Sequence, residues 1–319
     1  MYDRGMTTET GPVPDIVILD GGLATELETR GCDISGALWS ARVLRSNPEA
    51  IEQLHYDYYA AGARVAITAS YQASYEGFAA AGIGAEETTR LLRLSVDLAR
   101  SARERYRREH PDDHRQLLVA ASVGPYGATT HDGAEYRGDY GLSVTQLVAF
   151  HERRFGVLAS TGADLLACET IPVLDEARAY AELLGSLPDA CAWLSFTSPD
   201  GVVTSHGEPL ADCARLADGV ANVVAVGVNC VRPEIVGNAI RSLKGGTGKP
   251  IVVYPNSGER WQAGDESWHG KRADLSLAAL APQWIAGGAR FVGGCCRTGP
   301  SDIAALAGAV PRERQANAG

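Results

Sequence analysis

Three cysteines carry the chain's most distinctive chemistry. "GVNC" ends at Cys230, and "GGCCRTGP" holds Cys295 and Cys296 side by side. Each phrase closes a short apolar run of the kind that forms a buried strand. If both runs belong to one sheet, three thiols converge at one of its ends. Three protein ligands with a fourth position open describe a catalytic zinc site rather than a structural one. The residues alone leave two other outcomes open: a strained vicinal disulfide with a redox role, and thiols that bind nothing. Neighbouring side chains on a straight strand point to opposite faces. Two adjacent ligands therefore need the chain to turn, which Gly293 and Gly294 are expected to permit through their backbone freedom. Cys32, Cys168, Cys191 and Cys213 read as small buried hydrophobes.

A recurring unit supplies the strands. "YYAAGARVAITASY" (58–71), "LASTGADLLACET" (158–170) and "WIAGGARFVGGCC" (284–296) share a helix-like end, a glycine, an apolar run and then polar residues. Gly62, Gly162 and Gly288 fit helix C-terminal caps that need a left-handed residue. Strands are expected at 16–19, 65–68, 117–122, 165–167, 192–196, 223–228, 251–254 and 291–293. Helical patterns separate them near 48–61, 85–109, 143–160, 174–186, 232–243 and 275–287, the first with Asn47 as N-cap and Pro48 at its first position. Eight strands alternating with helices point to α/β architecture, a single (β/α)8 barrel, with a doubly wound sheet as the competitor. The unusual residues fall at strand ends, in "DGGLATELE", "TASYQAS", "VGPYGA", "CETIP", "NC", "PNSGE" and "GGCCRTGP". In barrels of this type those ends carry the active site.

Composition narrows the class. The 319 residues have 45% hydrophobic and 21% charged side chains, ample for a packed core. A net charge of −10, with no basic cluster beyond solvated helical faces, argues against nucleic-acid binding. No apolar stretch approaches the ~18 residues of a membrane span, and the N-terminus lacks the apolar core of a signal peptide. Seven cysteines, an odd number, suit reduced thiols in a cytoplasmic protein. The expected organisation is a polar tail over 1–14, one domain over 15–310 and a second tail over 311–319. A monomer is the expected state.

The phrases "LDGGLATELETRGCD", "LWSARVL", "AITASYQAS", "VGPYGA", "EYRGDYG", "LLACETIP", "GVNC", "VVYPNSGE" and "GGCCRTGP" together resemble the homocysteine S-methyltransferases, in the branch that uses S-methylmethionine or S-adenosylmethionine. The resemblance runs in order from about residue 16 to 309. It implies a zinc-dependent barrel that moves a methyl group from a sulfonium donor to homocysteine, making methionine. It also implies that Cys230, Cys295 and Cys296 bind Zn²⁺ and that the homocysteine thiol joins them as a thiolate. A free thiol of pKa ~8.5 would be mostly protonated near neutral pH. Methyl transfer between sulfurs moves no proton, which accounts for a mouth without a Ser/His pair. His206 and His269 read as loop residues, and His55 and His151 as structural or surface residues on helices.

The same resemblance assigns Asp20 and Glu169 to the amino-acid end of homocysteine, where two carboxylates can bracket an α-ammonium group. Asp20 could equally cap the helix that follows it. Gly21 and Gly22 would offer backbone N–H groups to the substrate carboxylate. Thr68 is expected near the homocysteine backbone. Trp39 is expected on the donor side, where an aromatic wall attracts a sulfonium by roughly 0.5–2 kcal/mol. Betaine-dependent relatives carry tyrosine where this chain has Thr170, which argues against betaine. The alternatives are a betaine- or selenohomocysteine-using enzyme of the same fold and, in another class, a vicinal-thiol zinc or redox sensor. A sensor has no use for an ammonium bracket at the same mouth.

Overall fold

A computed structural model describes residues 16–34, 40–262 and 267–310. Both expected tails and Trp39 lie outside the described residues. Eight parallel strands form the barrel: β1 (Val17–Ile18), β2 (Val65–Ile67), β3 (Leu118–Val123), β4 (Leu165–Ile171), β5 (Ala192–Phe196), β6 (Val223–Asn229), β7 (Ile251–Tyr254) and, after a small hairpin, β10 (Ala289–Val292). The hairpin pairs β8 (Arg260–Gln262) with β9 (Ser267–His269). The large sheet runs β1-β10-β7-β6-β5-β4-β3-β2, and a parallel bridge from Leu19 to Val65 joins its two ends. The ring is closed, so the doubly wound alternative is not what forms.

The period of two along each strand divides the core. Leu19, Val65, Ala120, Ala167, Trp193, Ala225, Val252 and Phe291 fill the barrel interior. Their neighbours Ile18, Ala66, Ala121, Leu166, Leu194, Val226 and Val253 pack outward against the helices. Strands buried on both faces read as continuous apolar runs, which is how the sequence displays them. Cys168 and Cys213 are buried in the outer layer, while Cys32 and Cys191 are half-buried against core residues. All four behave as small hydrophobes.

The long helices stand close to their expected places. Helix Pro48–Ala60 begins at Asn47, whose side chain accepts from the Ala50 N–H at 3.3 Å. Gly62, Gly162 and Gly288 have φ of +108°, +75° and +118°, the left-handed conformation that ends a helix. The expected helix over 232–243 is instead a 3-10 turn, Pro233–Ile235, followed by helix Val236–Lys244. Helices Tyr75–Ala80, Leu210–Asp218 and Pro300–Ala309 were not expected. They are six to ten residues long, too short to show a helical period clearly.

Candidate active site

The three thiols meet. The Cys230 Sγ lies 3.7 Å from the Cys296 Sγ, and the Cys295 and Cys296 sulfurs are 4.0 Å apart. All three sulfurs lie within 4.8 Å of one another. A tetrahedral ion with Zn–S bonds of ~2.3 Å sets its sulfurs ~3.8 Å apart. The donor set therefore fits a metal of zinc's size and thiolate preference.

The strand between them holds this geometry. Strands β6 and β10 are not neighbours, because β7 separates them. The segment leaving β7 stitches both cysteine turns together. Cys230 N–H donates to Tyr254 O at 3.1 Å, Cys295 N–H to Pro255 O at 2.8 Å, and Ser257 N–H to Cys296 O at 3.1 Å. The turn at Gly293 and Gly294 works differently from expectation, since neither has a positive φ. Left-handed residues stand instead at Cys230 (φ +50°) and Arg297 (φ +60°). Gly294 is needed for close approach: a Cβ there would sit 2.1 Å from the Thr298 hydroxyl oxygen. A Cβ on Gly22 would likewise meet the Cys295 carbonyl oxygen at 2.6 Å. The "DGG" turn after β1 thus packs directly on the "CCRT" turn after β10.

Gly21, Gly22, Thr68, Glu169, Cys230, Cys295 and Cys296 line one cavity of about 100 Å³ at this end of the barrel. Gly22 cannot offer its N–H as expected, because that group donates to Thr298 O at 2.8 Å. Asp20 lies beneath the cavity wall, completely buried. One of its carboxylate oxygens accepts from the Ile67 N–H at 2.7 Å, and the other, Oδ1, is buried without a partner. It does not cap the following helix, which starts at Gly22 with no side-chain cap. Thr68 shares a 2.7 Å hydrogen bond with Ser70, and its Oγ1 accepts from the Ser122 N–H at 3.0 Å.

Glu169 reaches the cavity through an irregularity in β4. The register shifts between Cys168 and Ile171, and Thr170 adopts φ +61°. Asn229 holds this kink from β6: its Oδ1 accepts from the Thr170 N–H at 2.7 Å, and its Nδ2 donates to the Thr170 hydroxyl at 2.8 Å. Cys168 consequently packs outward while Glu169 turns to the mouth, where it accepts from the Ser122 hydroxyl.

Two buried carboxyls without a cation are costly to ionise. Burial pushes Asp20 well above the usual carboxylate range; the Ile67 N–H opposes this, and the charge of Glu169 adds to it. Burial pushes Glu169 up to about 7 against hydrogen bonds from Ser122 and Tyr254. An ammonium group between them would relieve both. In the thiol cluster, hydrogen bonds from Cys295 and Cys296 bring Cys230 well below the usual thiol range.

The sequence reading missed the loop after β3. Tyr136 Oη stands 3.2 Å from the Cys230 sulfur, although 94 residues separate them. Tyr71, Tyr136 and Glu135 line the same cavity. "EYRGDYG" signalled a distinctive loop, but nothing in its spacing shows which thiol it reaches. Glu176, wholly buried, ties both ends of that loop down. It accepts from the Tyr126 N–H and from the Tyr140 hydroxyl, and it also pairs with His151 at 2.8 Å. His55 and His151 are buried in helices, where burial brings each down to about 4. His206 pairs with Glu208 at 2.6 Å on an exposed loop. Among the described residues, no histidine, lysine or arginine lines the cavity.

Comparison with known proteins gives a consistent result. The family model described as homocysteine S-methyltransferase matches residues 17–310. The homocysteine S-methyltransferase of Escherichia coli K12 is 53% identical over 92% of this chain and 94% of its own length. The Bacillus subtilis homocysteine S-methyltransferase YbgG is 47% identical over 92% of this chain and 93% of its own. The metallated crystal form of the Escherichia coli homocysteine methyltransferase superposes with a TM-score of 0.84 at 51% identity, covering 93% of this chain and 96% of that one.

Proposed function

Given that the chain belongs to the homocysteine S-methyltransferase family and is an enzyme of methyl transfer to homocysteine, we propose that its donor is S-methylmethionine or S-adenosylmethionine and its metal Zn²⁺. Cys230, Cys295 and Cys296 would hold the ion. The observation that carries this reading is the spacing of the three sulfurs, within 4.8 Å of one another. The metallated form of the Escherichia coli relative supports it. When bound, zinc supplies a way to keep an incoming thiol as its thiolate near neutral pH.

The chain's own residues do the rest. Asp20 and Glu169 take the α-ammonium group of homocysteine, and the unpartnered Asp20 Oδ1 and the raised Glu169 carboxyl are the supporting observations. Gly21 and Thr68 line the cavity on the side of Asp20, which holds the Ile67 N–H, and Gly22 contributes shape rather than its N–H. Methyl transfer then breaks one C–S bond and forms another. The bonding pair stays on the donor sulfur, which leaves as a neutral thioether, so no proton has to be placed. Trp39 remains proposed for the donor side. No helix among the described residues is long and apolar enough to cross a membrane; a cytoplasmic monomer acting on small molecules, with no nucleic-acid partner, completes the proposal.

Thr170 bears on the donor. Its hydroxyl is engaged by Asn229, and position 170 is threonine where the betaine-dependent pattern has tyrosine. Methionine formation from homocysteine should therefore proceed with S-methylmethionine or S-adenosylmethionine and stay at background with betaine. Initial rates with the three donors at equal concentration check this, and betaine-driven turnover matching the sulfonium donors would overturn it. Selenohomocysteine, run as a parallel acceptor, fixes the acceptor range.

A further inference from the structure

Besides Asp20 beneath its wall and Glu169 on its lining, the cavity presents a third carboxylate, one more than homocysteine requires. Glu135 lines it beside Tyr136, and the Glu135 Oε2 is buried with no hydrogen-bond partner. A buried carboxylate oxygen left unpaired is unfavourable, and such a group in a native site calls for an absent partner. The backbone there is held firmly. The Thr197 hydroxyl donates to Glu135 O at 3.4 Å, Tyr136 N–H to Gly133 O at 3.0 Å, and Gly138 N–H to Ala134 O at 2.8 Å. The carboxylate is thus presented by a fixed turn, itself anchored through Glu176.

Depth separates the three acids. Asp20 is completely buried and Glu169 nearly so, whereas Glu135 is half-buried on the loop that covers the thiols. The two deep carboxylates suffice for one ammonium. Glu135 lies on the loop whose Tyr136 Oη stands 3.2 Å from the Cys230 sulfur, the place a second substrate must reach. With no basic side chain among the lining residues, this wall suits a cation.

We propose that Glu135 is the residue that recognises the positive charge of the sulfonium donor, with the faces of Tyr71 and Tyr136 beside it. The inference rests on the sulfonium-donor reading above. Burial pushes the Glu135 carboxyl up to about 7, opposed by its own main-chain N–H, so a neighbouring cation would draw it back to the ionised form. Because transfer discharges the sulfonium, contact with that charge weakens toward the transition state. It therefore favours donor binding without speeding the chemical step.

The test uses the zinc-loaded enzyme, saturating homocysteine and whichever sulfonium donor the wild type turns over fastest. Glu135→Gln should raise the donor KM by about ten- to a hundredfold, the size of one lost charge-assisted contact. Homocysteine KM, zinc content and thermal midpoint should stay close to wild type, and kcat should hold level or rise. Glu135→Asp, which keeps the charge, should recover most of the donor affinity. An unchanged donor KM in Glu135→Gln overturns the proposal, as does an equal loss in both carboxyl variants. A wild type that uses neither sulfonium donor would instead refute the donor assignment, and the two failures are distinct.

Discussion

Cys230→Ser is expected to lower kcat/KM by at least ~10³-fold, because a metal's stabilisation of developing charge amounts to several kcal/mol. The serine is nearly the same size and sits where Tyr136 can still hydrogen-bond, so packing hardly changes. Serine also ionises far less readily than a thiol and offers zinc a poor ligand in place of a thiolate. Zinc should fall from about one per chain to substoichiometric levels. The barrel has its own two-layer core and does not depend on the cluster for folding. Secondary structure and thermal midpoint should therefore persist in the variant, and in wild-type protein inactivated by a chelator. Elemental analysis, circular dichroism and turnover on the same samples check this. A metal-free protein with full activity would refute the thiolate account.

Glu169→Gln should act on the other side of the cavity. Its carboxylate accepts from the Ser122 hydroxyl, and an amide oxygen can still do so. What disappears is the charge facing the α-ammonium group, a contact made in ground and transition states alike. Losing a charge-assisted hydrogen bond of ~1.5–3 kcal/mol weakens binding by about ten- to a hundredfold, and the loss should appear in homocysteine KM. Kcat and zinc content should change little. The pattern differs from that expected of Glu135→Gln, where donor KM moves and homocysteine KM does not. Loss of zinc from Glu169→Gln with KM unchanged would make Glu169 a support of the metal rather than of the substrate.

The contrast between these residues shows where sequence reading succeeds. That Cys230, Cys295 and Cys296 would converge was legible because they close apolar runs in an eight-strand pattern, while the residues alone left a metal, a vicinal disulfide and unligated thiols open. The eight strands were legible because burial on both faces leaves uninterrupted apolar stretches. The reach of Glu169 was not, since it depends on a kink at Thr170 that Asn229 imposes from β6. A constraint between residues 59 positions apart leaves no local signature. The glycine pair illustrates a subtler miss. Gly293 and Gly294 are expected to supply conformational freedom, yet what they supply is room: a Cβ on Gly293 would meet Leu19 at the end of β1, and one on Gly294 would meet Thr298 within its own turn. Whether a glycine is needed for its φ or for its missing Cβ is decided by what packs against it. Glu135 and Tyr136 escaped for the same reason, as members of a loop whose partner lies on a distant strand.

X-ray absorption at the zinc edge tests the central claim most directly, because it counts the sulfur atoms around the metal. Three sulfur ligands are expected in the resting protein. A fourth should appear when homocysteine is added without a methyl donor, and each single Cys→Ser variant that still retains metal should lose one. A resting site with fewer than three sulfurs, or a count that homocysteine leaves unchanged, would contradict the assignment of Cys230, Cys295 and Cys296 as the centre on which this enzyme prepares its nucleophile.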